Sequence, residues 1–210
     1  RTPSKYYAAL NLEYTIPENV TVESGGNTGD ASLADGIGFG LAIGHRYNDK
    51  FRAEIELSRR SFELQNITPT SGGNARTLSG QLDIYAAMIN GYYDITDQAN
   101  LYFKNAAFRP YIGAGIGPAY LVANDVAASL NPTNVILDRQ TTVPNTASIW
   151  LPAGQLMAGL SFPMTNVFEI DIGYKYLLMG DITGTVDGAS GDSSVLRSHS
   201  LKLGMRYNLN

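Results

Sequence analysis

The fold this sequence predicts is all-β: an eight-stranded antiparallel up-and-down transmembrane β-barrel with four long loops at one end and short turns at the other. Three observations carry it. Apolar and polar residues alternate with a period of two along eight segments, the pattern of strands with one apolar face. The opposite face of those segments collects glycines and a charge set that balances. The connections alternate short and long. The 210 residues are read as one domain, 1–210.

In chain order, the first segment sets Tyr6, Ala8, Leu10, Leu12, Tyr14 and Ile16 on one face and Tyr7, Ala9, Asn11, Glu13 and Thr15 on the other. The second sets Ile37, Phe39, Leu41 and Ile43 against Gly36, Gly38, Gly40, Ala42, Gly44 and Arg46. The third sets Phe51, Ala53, Ile55 and Leu57 against Arg52, Glu54, Glu56 and Ser58, and the fourth Leu82, Ile84, Ala86 and Met88 against Gln81, Asp83, Tyr85 and Ala87. In the fifth, Ile112, Ala114, Ile116 and Tyr120 oppose Tyr111, Gly113, Gly115, Gly117 and Ala119; in the sixth, Leu156, Ala158, Leu160 and Phe162 oppose Gln155, Met157, Gly159 and Ser161. The seventh sets Phe168, Ile170, Ile172, Tyr174 and Tyr176 against Glu169, Asp171, Gly173 and Lys175, and the eighth Leu201, Leu203, Met205, Tyr207 and Leu209 against Lys202, Gly204 and Arg206. A helical turn competes only at residues 125–130. Short connections are expected at 48–50 and 163–166, long ones at 17–35, 65–77, 123–146 and 178–196, and one of middle length at 94–108.

Alternation alone does not say which face points inward, and a soluble barrel of the lipocalin type shares the period. Glycine decides for the membrane. Exposed strand positions disfavour it, yet Gly36, Gly38, Gly40, Gly44, Gly113, Gly115 and Gly117 share the polar face, where a narrow lumen has use for the space. Tyr6, Tyr14, Tyr47, Tyr120, Tyr176 and Tyr207 sit near strand ends on the apolar face, as an aromatic girdle would. The Gly-x-Trp that a lipocalin carries near its start is missing; the one tryptophan is Trp150. The apolar face is therefore expected to meet lipid. Six acids (Glu13, Glu54, Glu56, Asp83, Glu169, Asp171) and six bases (Arg46, Arg52, Arg60, Lys175, Lys202, Arg206) then point into the lumen. Eight strands leave an interior just wide enough for side chains to fill, and buried charges must be paired, so this set reads as an ion-pair plug.

Composition removes other classes. With no cysteine and only His45 and His199, thiolate and multi-histidine metal sites have no ligands. A net charge of −4 is wrong for a nucleic-acid binder, and 44 % hydrophobic residues argue against disorder. Residues 147–164 approach a helical span in length but are broken by Pro152, Gly154, Gln155, Gly159 and Pro163. The opening Arg1-Thr2-Pro3-Ser4 is no apolar signal core, so the chain is expected to be a mature form.

Four segments resemble the small eight-stranded bacterial outer-membrane barrels of the opacity-protein and surface-antigen type, a porin-family group. They are Asn90-Gly91-Tyr92-Tyr93-Asp94, Arg109-Pro110-Tyr111-Ile112-Gly113-Ala114-Gly115-Ile116-Gly117, Glu169-Ile170-Asp171-Ile172-Gly173-Tyr174-Lys175-Tyr176 and Leu201-Lys202-Leu203-Gly204-Met205-Arg206-Tyr207. The resemblance covers the barrel and none of the loops, and it departs at the C-terminus, where Leu209 and Asn210 replace the usual aromatic. It implies an outer-membrane location and no single activity.

No enzyme site and no cofactor are expected. Ser198 and Ser200 flank His199 but project to the opposite face, which separates nucleophile from base. The run Asp187-Gly188-Ala189-Ser190-Gly191-Asp192 lacks calcium-loop spacing, and the paired glycines lack that of a dinucleotide fingerprint. The expected role is a non-enzymatic surface barrel that presents acidic, polar loops for adhesion, surface coating or self-assembly; a small transport pore, a lipid-modifying enzyme and a soluble binder of apolar ligands are the alternatives. Expected partners are outer-membrane lipid and, through the loops, a second copy or another surface protein. Val135, Ile136 and Leu137, apolar in a polar loop, are the candidate contact.

Overall fold

The computed structural model describes residues 5–18, 20–24, 27–69, 76–95, 101–103, 106–130, 147–182, 185–186, 189–190 and 194–209. Eight strands form the barrel: β1 (Tyr6–Pro17), β2 (Gly36–Arg46), β3 (Phe51–Pro69), β4 (Arg76–Asp94), β5 (Ala106–Leu130), β6 (Ala147–Pro163), β7 (Phe168–Ile182) and β8 (Ser194–Leu209). Every neighbouring pair is antiparallel, in the order β3-β2-β1-β8-β7-β6-β5-β4, and β3 pairs with β4 to close the ring. No helix is present among the described residues; 125–130, where a helical turn was the competing reading, belong to β5.

The short turns have local causes. Between β2 and β3, the Asn48 side chain accepts from Lys50 N (2.9 Å) and Phe51 N (2.8 Å), and Tyr47 N donates to Phe51 O at 3.0 Å. Between β6 and β7, Met164 N and Thr165 N both donate to Phe168 O at 3.0 Å. At the other end the strands outrun the expected boundaries. The 17–35 connection contains a hairpin, Val20–Ser24 with Asn27–Leu33, and its second arm pairs with β3 from Gly29↔Pro69 to Leu33↔Leu64. Together with β4 and β5, paired as far as Arg76↔Leu130, this forms a wall on one side of the barrel.

The period of two holds on both faces. Ile43, Ile55, Ile116 and Leu203 point outward, Ile116 with 73 % of its surface open, while Glu13, Glu54, Glu169 and Lys202 point inward and are buried. Large side chains on one strand need glycine on the next: a Cβ at Gly44 would overlap the ring of its register partner Tyr7, and one at Gly113 would come within 2.5 Å of the Tyr92 ring. The space that these glycines open is filled by the adjacent strand and not only from across the lumen.

One strand departs from expectation. On β4 the inward residues are Leu82, Ile84, Ala86 and Met88, and Tyr85 and Ile89 point outward, the reverse of the phase read from hydropathy. Ile84 is 1 % exposed and packs with Phe62, Ala119, Leu151, Ala153, Leu177, Met179 and Leu196 in an apolar core at the loop end of the lumen. Phase makes a measurable difference. Replacing Ile84 by Ala leaves a cavity and should destabilise by roughly 2–5 kcal/mol, whereas Ile89→Ala empties no enclosed space and should cost under about 1 kcal/mol. Equal costs in urea unfolding would reverse the assignment.

Candidate functional site

The lumen has two halves. Toward the turns it is charged. Arg46 donates from Nη2 to Glu169 Oε1 (2.9 Å) and from Nη1 to Asn208 Oδ1 (2.5 Å). Arg206 Nη1 reaches Glu169 Oε2 at 2.8 Å, Arg206 Nη2 pairs with Asp171, and Ser161 Oγ donates to Asp171 Oδ1 at 2.5 Å. Arg109 Nη2 adds a further cation to Glu169 at 2.9 Å. Arg52 is held by Asp94 (Nε to both carboxylate oxygens, 3.1 Å) and Glu54 (Nη1 to Oε1, 2.8 Å), and its guanidinium stacks 3.9 Å over the Tyr92 ring. Tyr7 Oη donates to the same Glu54 oxygen at 2.8 Å.

Midway up, Glu13 accepts from Arg60 Nε (2.8 Å) and from Lys175 Nζ (2.5 Å), and Lys175 also reaches Glu56 Oε1 at 2.8 Å. Arg60 and Glu13 have essentially no exposed surface. Above this layer begins the apolar core. The charged half of the lumen is thus a stack of ion pairs capped by hydrocarbon.

Eleven of the twelve residues expected in the lumen are there: Glu13, Arg46, Arg52, Glu54, Glu56, Arg60, Glu169, Asp171, Lys175, Lys202 and Arg206. Lys202 makes no ion pair among the described residues and lies 5.5 Å from the Tyr111 ring centre. Asp83 corrects the expectation. It lies on the outer side of the reversed strand but is only 4 % exposed, covered by Arg59, whose Nη2 pairs with it at 3.2 Å, and by Asn124, whose Nδ2 donates to it at 3.4 Å. Asp94 provides the carboxylate that Asp83 does not. The signal for it lay in Asn90, Tyr92 and Asp94, which share one face at the end of β4. Val135, Ile136 and Leu137 fall outside the described residues.

His199 stands on the outer face near the loop end, with Ser198 and Ser200 turned into the barrel. Both its ring nitrogens are engaged, Nδ1 by Tyr174 Oη (2.5 Å) and Nε2 by Glu18 Oε1 (2.9 Å). Tyr120 and Trp150 stack at 4.8 Å on another part of the same rim, and Tyr6, His45 and Tyr47 cluster at the turn end. Between the two aromatic rims the outer face is apolar: Leu10, Leu12, Leu41, Ile43, Ile55, Ile89, Ile116 and Leu203.

An apolar outer band between aromatic rims, on a closed antiparallel barrel, is the build of a membrane-spanning barrel. The model for the outer membrane protein beta-barrel domain matches residues 1–209. The chain belongs to that family. This outer-membrane barrel is similar to an uncharacterized protein of Brucella suis biovar 1, 26 % identical over 86 % of this chain and 71 % of that one. It is also 27 % identical to outer membrane protein PagN of Salmonella typhimurium, over 78 % of this chain and 68 % of PagN. Among solved structures, OprG of Pseudomonas aeruginosa superposes with a TM-score of 0.59 at 14 % identity, covering 100 % of this chain and 98 % of OprG, which is a likeness of fold. The barrel's place is the bacterial outer membrane, and its apolar band faces lipid.

The ion-pair stack is testable at Glu13. Glu13→Ala removes the anion from both Arg60 and Lys175 in a buried layer, and should destabilise the barrel by about 3–5 kcal/mol. Urea unfolding in vesicles measures it; a loss under about 1 kcal/mol would mean that these charges are solvated.

Proposed function

We propose that this outer-membrane barrel is a non-enzymatic surface protein that presents its long loops outward, for adhesion, surface coating or association with copies of itself. What supports this reading is the doubly filled lumen, charged toward the turns and apolar toward the loops. Such an interior suits a rigid post better than a conduit. The apolar core lies under the loop end, where the strands continue into the Val20–Ser24 and Asn27–Leu33 hairpin, so the projecting part stands on a packed base. The proposed partners act through the loops: a second copy or another surface protein, with residues 131–146, which include Val135, Ile136 and Leu137, as the first segment to test.

Deleting residues 131–143 should leave insertion and heat resistance intact and abolish surface binding or self-association. Retention of both in a correctly inserted barrel would shift the working part to the other loops. In planar bilayers, wild type should pass no steady ionic current.

A second reading rests on Tyr174, His199 and Glu18, a hydroxyl, an imidazole and a carboxylate in series on the outer face. That order is the one in which a base activates a nucleophile, here toward a lipid ester. Incubating the barrel with membrane lipid and analysing the products separates the readings. The surface-protein reading expects unchanged lipid for wild type and for His199→Ala alike; products that vanish in His199→Ala would establish the enzyme.

A further inference from the structure

The lipid-facing wall has a hollow in it. Register sets Ala53 opposite Gly91 and Gly91 opposite Ala114, so the three smallest outward side chains of β3, β4 and β5 lie in one row. Larger residues surround them. Tyr47, Phe51 and Tyr93 stand on the turn side, with the Phe51 and Tyr93 rings 5.1 Å apart, and Ile112 and Leu156 close the flank. The hollow is open on its outer side and has a volume of about 730 Å³, within the range of roughly 300–1,000 Å³ in which small apolar ligands are held.

Interior packing does not require glycine at position 91. The inward Gly113 is needed, because a Cβ there would press on Tyr92; a Cβ on Gly91 would meet nothing within 4 Å. Gly91 itself is exposed on the outer side of the wall, and the buried Arg52, Tyr92 and Met157, with Gly113, form the floor of the hollow. The hollow is continuous with the band of Ile55, Ile89 and Ile116 that contacts the bilayer, so hydrocarbon and not water is what borders it. An empty apolar hollow forfeits dispersion contacts on every lining atom, and a flexible alkyl chain restores them. The aromatic residues Tyr47, Phe51 and Tyr93 mark the turn-side rim, which in such barrels belongs to the periplasmic leaflet.

We propose that this hollow seats one acyl chain of a phospholipid from the turn-side leaflet, held longer than the lipids covering the convex remainder of the band. Leucine at position 91 would fill the seat from within the wall without disturbing the lumen.

The test uses the whole chain, folded into detergent micelles and supplied with palmitoyl-oleoyl phosphatidylethanolamine. Native mass spectrometry counts the lipids that survive stepwise activation. Wild type should keep one lipid per chain after the others are stripped. Gly91→Leu should lower that occupancy at least tenfold, and Ala8→Leu, which places the same side chain on another part of the wall, should leave it unchanged. If Gly91→Leu fails to show the heat-dependent gel shift of a folded barrel, Ala114→Leu serves, since it narrows the hollow from β5. Three results would overturn the proposal: no retained lipid on wild type, equal retention in the filled variants, or a wild-type dimer that the filled variants break, which would assign the hollow to a second copy.

Discussion

Closing eight antiparallel strands on themselves leaves an interior with room for side chains and little else, and the rest of the molecule follows from how that volume is filled. Each inward position must either carry a side chain that fits or yield to a neighbour. Tyr7 beside Gly44, Tyr92 beside Gly113 and Tyr111 against both Gly159 and Gly173 are one solution repeated: a ring lies flat over the next strand, which has no Cβ to oppose it. Those rings then hold the guanidinium of Arg52, whose two carboxylate partners come from β3 itself and from the end of β4. Charge pairing in the lumen therefore depends on glycine placement as much as on the number of acids and bases.

The lumen's division has an energetic logic. A buried ion pair is tolerated only when its geometry is good and its remaining hydrogen-bonding groups are met. Glu13, held between Arg60 and Lys175, has both carboxylate oxygens paired in the middle of the barrel. Above it the strands are still paired, as at Phe62↔Leu82 and Met179↔Leu196, but the lumen between them is filled with hydrocarbon. Leu, Ile, Met and Phe there require only shape and exclusion of water, and they shield the outermost ion pairs from the loop side. Outside the barrel at the same end, polarity returns in pairs that bridge strands: Arg59 with Asp83, and Glu18 with His199.

Most of the wall was legible because one face had to be apolar and the other could not be. That contrast disappears on β4. Leu82, Ile84, Ala86 and Met88 face an apolar lumen while Tyr85 and Ile89 face lipid, so hydropathy carries no phase information there, and Asp83 suggests the wrong phase because its carboxylate is met by Arg59 and Asn124 on the outer side. The polar residues at the other end of the strand, Asn90 and Asp94, held the right phase, since an outward carboxylate at the turn-side rim would have lost its partner Arg52. The extent of β3, β4 and β5 was hidden for a related reason. Beyond the membrane neither face of a strand has to be apolar, so Gly, Asn, Thr and Ser read as loop even where the backbone keeps pairing.

A barrel filled in this way limits where activity can reside. Inward residues are committed to one another, and a change at one of them disturbs two or three partners. The outward band is committed to hydrocarbon and admits variation only within apolar side chains. The positions free of both demands are the loops, the rim clusters such as Tyr174-His199-Glu18, and those places where the band is locally concave. Fold likeness to OprG at 14 % identity is consistent with that division: the fold is shared while most residues differ. Differences in function between such barrels then have to be sought above the rims or in local departures from a smooth lipid-facing wall.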